Sequence, residues 1–301
     1  MDKLLFIINP TAGGGRAKDL KALIEKSMEE HKLSYDIILT TRSKEAIEIV
    51  QNSPHYKVIA VGGDGTVNEV AKGLINRKFG VLGILPGGTG NDLSRSLNIP
   101  LDPLDAIDCI VNGKMRNVDI GIINGYPFLN IASFGFDAEV VHITKKIKTR
   151  IKSNIAYILG VLITLIRFRK KEVVLEINGK RYKEKVVLLA AGNGKFYGGG
   201  LKVLPNARLL DDYLDLCLVK NVNKLFILFL FPTIFKGNHI KYRKYVSTYK
   251  AKNIRIISEE DIYFNLDGEI LSGGKILDFT MAGYKLPIIY RKNKNSNISL
   301  N

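Results

Sequence analysis

Asp64 and Asp92 each stand in a glycine-rich turn, Gly62-Gly63-Asp64-Gly65-Thr66 and Pro86-Gly87-Gly88-Thr89-Gly90-Asn91-Asp92. A third such turn, Asn9-Pro10-Thr11-Ala12-Gly13-Gly14-Gly15, lies near the start of the chain. Glycine in these places lets backbone N–H groups approach a polyphosphate closely and adopt positive φ at little cost. A carboxylate beside a phosphate is repelled unless a cation lies between them, and magnesium sites commonly combine one or two carboxylates with waters and substrate phosphates. The chemistry open to this set is therefore metal-assisted handling of a polyphosphate. Neither G-x-x-x-x-G-K-[ST] nor a strict G-x-G-x-x-G after the first strand occurs, so a P-loop and a dinucleotide fingerprint do not explain the turns.

Each turn follows an apolar run, at 4–8, 58–61 and 81–85, and the last two open into helix-like sequence. In an open α/β sheet ligands sit beyond the carboxyl ends of the strands, where helix N-termini favour an anion. Residues 1–119 alternate strand and helix patterns (4–8, 16–30, 35–39, 44–51, 58–61, 66–75, 81–85, 91–97, 104–111), which predicts βα units and a mainly parallel sheet. Beyond about 118 the pattern is mostly strands, at 173–177, 186–190, 214–219, 254–257, 262–266 and 275–280. Asn178-Gly179 marks a hairpin between 173–177 and 181–189. Helical patterns at 154–168 and 225–235 interrupt this β-rich part.

Six blocks in one order, Asn9–Gly13, Gly62–Glu69, Gly87–Asp92, Phe134–Glu139, Gly192–Asp215 and Asp267-Gly268-Glu269, make the chain resemble the diacylglycerol kinase catalytic-domain family, in its bacterial lipid-kinase branch. The resemblance spans nearly the whole chain. With the element pattern it implies an α/β plus β fold: a Rossmann-like or phosphofructokinase-like nucleotide-binding domain over 1–120 and a β-rich, β-sandwich lipid-substrate domain over 121–283. The C-terminal 284–301 would return to the first domain. The implied activity is transfer of the γ-phosphoryl group of ATP to a membrane-lipid hydroxyl, most simply diacylglycerol to phosphatidic acid, in a cleft between the domains. A Gly-Gly-Asp-Gly-Thr turn alone is also found in NAD kinases, so a soluble-acceptor kinase stays open, as does a non-catalytic lipid- or nucleotide-binding regulator.

Phosphoryl transfer needs a phosphate cradle, a metal and a group that takes the acceptor's proton. By residue logic and resemblance together, Asn9, Pro10, Thr11, Ala12 and Gly13, then Gly63, Asp64, Gly65, Thr66, Val67, Asn68 and Glu69, with Thr89, are the ATP-binding candidates. Thr40 or Thr41 resembles a further nucleotide contact, although Lys44-Glu45 stands where the family has Gly-Asp. Asp64 and Asp92 are the candidates for catalytic Mg2+, Asp64 the stronger. Glu269 matches the family's general base, with Asp267 shaping its turn. The resemblance also implies a structural Mg2+ held by the Asp212 side chain and the carbonyls of Leu209 and Leu214. Tyr213 replaces a family glycine there, which is costly if that position needs positive φ.

The chain's 301 residues, 46% of them hydrophobic, can bury a substantial core. Cys109 and Cys217 are too few for a disulfide framework or a zinc site, and a reducing cytoplasm fits. The four histidines share no metal-ligand spacing. Residues 1–119 hold 15 Lys and Arg against 15 Asp and Glu, leaving 30 against 14, the whole excess of +16, to 120–301. The basic residues flank two apolar stretches, 155–166 and 225–235, both well short of the roughly 20 residues that span a bilayer. Buried helices with solvated ends would explain them. So would docking at the anionic inner face of the membrane, which would make the enzyme cytoplasmic and peripherally membrane-associated. No nucleic-acid module is present, so no nucleic-acid partner is expected. Homodimerisation is what the resemblance suggests.

Overall fold

A computed structural model describes residues 3–148, 160, 163, 164, 168 and 170–291. The chain divides into two compact units, Met1–Asp119 with Tyr284–Asn301, and Ile120–Gly283.

The first unit is a parallel sheet of β1 (Leu4–Ile8), β2 (Tyr35–Leu39), β3 (Lys57–Gly62) and β4 (Val81–Pro86), in the order β2-β1-β3-β4. Every residue of β1 and β4 is buried, as expected of a parallel sheet covered on both faces. The covering helices are α1 (Arg16–Glu30), α2 (Glu45–Asn52), α3 (Asp64–Arg77), the short α4 (Asp92–Ser96) and α5 (Pro103–Asn112). α5 starts where it does because the Asp102 side chain accepts the Leu104 and Asp105 N–H groups and Pro103 occupies the first turn. The final strand β15 (Ile276–Tyr290) pairs in parallel with β4 at Ile288 and Leu82.

The second unit is antiparallel. The strands β7 (Ile131–Gly135), β8 (Lys171–Ile177), β9 (Lys180–Gly192), β12 (Asn253–Ser258), β13 (Tyr263–Leu266) and β14 (Glu269–Ser272) follow the order β14-β13-β7-β9-β8-β12-β15. β10 (Leu214–Lys220) joins β9 to β11 (Val246–Ala251), while β5 (Lys114–Ile123) pairs with β6 (Tyr126–Phe128). Along β10 the alternation is strict: Leu214, Leu216 and Leu218 enter one core, Cys217 and Val219 another. The first core is sheet against sheet. The second is covered by α6 (Phe136–Lys148) and α7 (Lys224–Ile234).

The Asn178-Gly179 turn joins β8 to β9 with both residues left-handed, at φ 51° and 76°, the geometry of a two-residue hairpin. α6 is an element that the strand reading beyond residue 118 did not include. Its start, Phe136-Asp137-Ala138-Glu139, follows directly on β7, with no Pro or polar cap to announce a change of period. The helix expected over 154–168 and most of the apolar stretch 155–166 lie outside the described residues. Among the described residues, no helix is long and apolar enough to cross a membrane.

Candidate active site

The three glycine turns meet at the C-terminal ends of β1, β3 and β4. A Cβ placed on Gly13 would stand 2.1 Å from the Gly87 carbonyl oxygen, and one on Gly88 would stand 2.4 Å from the Gly63 Cα. These backbones touch, so the first turn packs on the third and the third on the second. Gly13, Gly14 and Gly15 are all left-handed, at φ 61°, 73° and 104°, and space is open above Gly14, Gly15 and Gly65. No side chain caps α1 or α3, and the N–H groups in the first turn of a helix have no intrahelical partner. The result is a glycine-lined surface suited to an anion.

Asp64 ties the arrangement together in a way the sequence did not suggest. Its Oδ1 accepts the N–H groups of Asp92 at 2.6 Å and Leu93 at 3.3 Å, so the first residue of α3 acts as the cap of α4. Burial pushes its carboxyl above the ordinary carboxylate value, against the amides of Leu93, Asp92 and Asn91, which act in the opposite direction. Asn91 clamps the third turn: Gly88 N–H donates to its Oδ1, and its Nδ2 donates back to Gly88 O. Asp92 is 4% exposed, so of the two carboxylates expected to face a cation, Asp64 is the accessible one. Asp64, waters and nucleotide phosphates form a donor set that fits Mg2+.

The other expected nucleotide contacts fall into two groups. Thr11, Gly65 and Thr89 are exposed, while Pro10, Ala12, Gly63 and Asn68 are half-buried. Asn9 serves the turn, its Oδ1 accepting both the N–H and the hydroxyl of Thr11. Thr66 and Val67 are buried, and Val67 donates its N–H to Gly63 O, so both sit on the core side of α3. Thr40 is also buried, its hydroxyl turned to Ile8 O at 3.4 Å. Thr41 is exposed, with its N–H and hydroxyl bound by Glu45 Oε2. Lys44 occupies the left-handed cap position of α2 at φ 67° and donates its N–H to Glu69 Oε1. Glu69 thus closes the loop that Lys44 and Glu45 form.

A Gly13→Ala substitution should lower stability by about 1–3 kcal/mol, because the methyl meets Gly87 O and the backbone is left-handed. Gly14→Ala meets no neighbour, although its φ is also positive, so chemical denaturation should rank it clearly milder. Equal losses would mean that the contact with the third turn is unimportant.

In the second unit, Glu269 opens β14 opposite Leu266, across a two-residue turn in which Asp267 and Gly268 are left-handed at φ 52° and 85°. Asp267 therefore shapes the turn. Asn265 Oδ1 accepts the Gly268 N–H at 2.9 Å, and the Asn265 side chain also bonds to Asp137, a half-buried residue whose Oδ1 is buried and whose carboxyl accepts the Ser133 hydroxyl. Burial pushes the Asp137 carboxyl upward, with Ser133 the largest opposing influence. A carboxyl whose folded pKa is raised loses stability as pH climbs from its unfolded value to its folded one, by about 1.4 kcal/mol per pH unit in that interval. Asp137→Asn removes this titration. In thermal melts its stability relative to the native chain should rise from acidic toward neutral pH; a constant difference would mean that Asp137 does not titrate.

Beside β14 lies a cavity of about 540 Å³ lined in part by Phe134, Ala138, Ile262, Tyr263 and Ile270, with Glu139, Lys171 and Asp261 at its polar edge. Burial raises the Glu139 carboxyl and the Lys171 charge lowers it.

The turn expected to hold a structural metal shows why Tyr213 is tolerated. Asp212, and not Tyr213, takes the left-handed conformation, at φ 60°. Asp211 organises the bend by accepting the Tyr213 N–H at 3.2 Å and pairing with Lys250. Asp212 is exposed and Leu214 is buried at the head of β10. Among the described residues, no group of three or more His, Cys, Asp or Glu could hold a metal ion; a site of one carboxylate and two carbonyls is a different donor set.

Comparison with known proteins agrees with this architecture. Residues 3–123 match the model of the diacylglycerol kinase catalytic domain, and 130–277 match a YegS C-terminal NAD kinase beta sandwich-like domain. A diacylglycerol kinase of Bacillus subtilis is 33% identical over 277 residues, covering 89% of this chain and 90% of its own length. A solved diacylglycerol kinase from Bacillus anthracis superposes with a TM-score of 0.73 at 26% identity, covering 96% of this chain and 97% of that one. An Archaeoglobus fulgidus NAD kinase crystallised with ATP shares the fold alone, with a TM-score of 0.54 at 11% identity over 96% of this chain and 94% of that one. The fold is a mixed α/β N-terminal domain followed by a C-terminal β-sandwich domain.

Proposed function

The chain belongs to the diacylglycerol kinase catalytic-domain family, and we propose that it transfers the γ-phosphoryl group of ATP to the hydroxyl of a membrane lipid, foremost diacylglycerol, giving phosphatidic acid. The observation that carries the reading is the convergence of three glycine turns on one small surface, pinned by the Asp64 carboxylate. The open surface over Gly14 and Gly15 and the N–H groups of the first turn of α3 are what the site offers the nucleotide phosphates. Mg2+, when bound, supplies charge neutralisation across the phosphate oxygens, and Asp64 is the residue that would hold it.

In the transfer, the lipid hydroxyl oxygen bonds to the γ-phosphorus, the bond from that phosphorus to the β–γ bridging oxygen breaks, and ADP leaves. The hydroxyl proton passes to Glu269. The apolar wall beside β14 suits the acyl body of the acceptor. The enzyme would act at the inner face of a membrane, where ATP is available.

The test is transfer of label from γ-labelled Mg-ATP to a panel of lipids in mixed micelles containing an anionic lipid, resolved by chromatography. Label in phosphatidic acid supports the reading. Label in another lipid moves the acceptor but keeps the class, whereas the absence of any labelled lipid refutes it.

A further inference from the structure

A helix on a protein surface ordinarily turns a polar face to water. α7, Lys-Leu-Phe-Ile-Leu-Phe-Leu-Phe-Pro-Thr-Ile, has no such face. Leu230 and Ile234 are buried and, with Phe226, Ile227 and Phe231, pack into the core beneath. The opposite side carries Leu225, Leu228 and Phe229, spaced i, i+3 and i+4, at 79%, 44% and 55% exposure, and Phe235 follows the helix at 54%. Thr233 adds no outward polarity, because its hydroxyl is bonded to Leu230 O. Both sides of the helix are apolar, and only one of them meets the protein.

Residues 216–258 contain nine Lys or Arg and no Asp or Glu, and of the nine, Lys220, Lys250 and Arg255 pair with Glu184, Asp211 and Asp278 from outside that segment. Lys224 and Lys236 flank the helix, and Lys241, Arg243 and Lys244 follow it; all are exposed. An aromatic group of Phe226, Phe229, Tyr242 and Tyr245 joins the helix to this basic segment, with Phe226 and Tyr245 ring centroids 4.5 Å apart. An apolar face rimmed by cations and aromatic rings is the pattern of a helix lying in a membrane interface. With 11 residues α7 is too short to cross a bilayer.

We infer that α7 is the membrane-docking element of the protein, with Leu225, Leu228, Phe229 and Phe235 entering the headgroup–acyl boundary and the basic rim meeting anionic lipid headgroups. The exposed cations Lys224, Lys236, Lys241, Arg243 and Lys244 beside an apolar helix face favour an anionic lipid surface over a protein partner. The inference extends the lipid-kinase reading by saying how the enzyme reaches its substrate, yet it is measured without turnover.

The experiment is sedimentation of the full chain with zwitterionic vesicles and with vesicles carrying about 30% phosphatidylglycerol, without nucleotide. Expected is binding at least about tenfold stronger to the anionic vesicles and weakened by salt. Leu225→Gln/Leu228→Gln should reduce that binding about tenfold or more, with a melting temperature near native because both side chains are exposed and neither belongs to the aromatic group or the core beneath. Turnover on a dispersed short-chain acceptor, measured separately, should be retained. Native binding that is absent or indifferent to anionic lipid overturns the docking inference and leaves the kinase reading standing; vesicle binding without any lipid phosphorylation does the reverse. Concentration-dependent self-association abolished by the same double variant would assign the face to a second copy of the chain and overturn the lipid assignment.

Discussion

Glu269→Gln should lower kcat by about 10²- to 10⁴-fold, the usual contribution of a positioned general base, while ATP binding and the melting temperature stay near native values. Glutamine preserves the size of the side chain and the turn, but it cannot accept the lipid proton. The turn itself takes its shape from Asp267 and Gly268, both left-handed, and from the Asn265 bond to Gly268 N–H. Thermal melts run beside the lipid assay separate stability from turnover at this residue. A variant that unfolds early, or one that retains turnover, would reduce Glu269 to a hairpin residue.

The second large effect is expected at Asp64, where two roles coincide and two substitutions divide them. Asp64→Ala removes the acceptor of the Asp92 and Leu93 N–H groups at the start of α4. Leaving buried donors unsatisfied costs about 1–3 kcal/mol, so this variant should lose both stability and activity. Asp64→Asn keeps an oxygen in the capping position but removes the negative charge. It should stay folded and still lose phosphoryl transfer by about 10²- to 10³-fold, the scale of removing one preorganised electrostatic contact. Urea denaturation alongside the lipid assay checks both. If Asp64→Asn were as active as the native chain, Asp64 would be a cap and nothing more.

Much of this site was readable because glycine and Asp-Gly pairs act locally. Gly13 to Gly15, Asn178-Gly179 and Asp267-Gly268 all take the positive φ that their residue types favour. The parallel sheet of the first unit was equally visible, since β1 and β4 are continuous apolar runs that a doubly covered sheet requires. What escaped was long-range. That Asp64 caps a helix 28 residues away depends on the packing of Gly88 against Gly63, and no local pattern encodes it. Asp137 reads as an ordinary polar residue until the pairing of Ser133 with Asn265 across β7 and β13 places it under the Glu269 turn. Thr40 was named from the resemblance, and Val67 from the turn motif and the resemblance together. Which side of the strand end or helix each faces is set by burial, which the turn motif does not carry.

At Tyr213 the loss of glycine would be costly only if residue 213 itself were left-handed; the bend places that conformation on Asp212. Aspartate is among the residues that tolerate this conformation best. The same holds at Lys44, where a left-handed non-glycine is held by its N–H bond to Glu69.

The most direct measurement is a competition: diacylglycerol in micelles and NAD in the same solution, with Mg-ATP, the phosphorylated products followed by phosphorus NMR. The account predicts the phosphomonoester signal of phosphatidic acid growing as ATP is converted to ADP, with no phosphorylated NAD. Phosphorylated NAD, or ATP left intact in the presence of both acceptors, would contradict it.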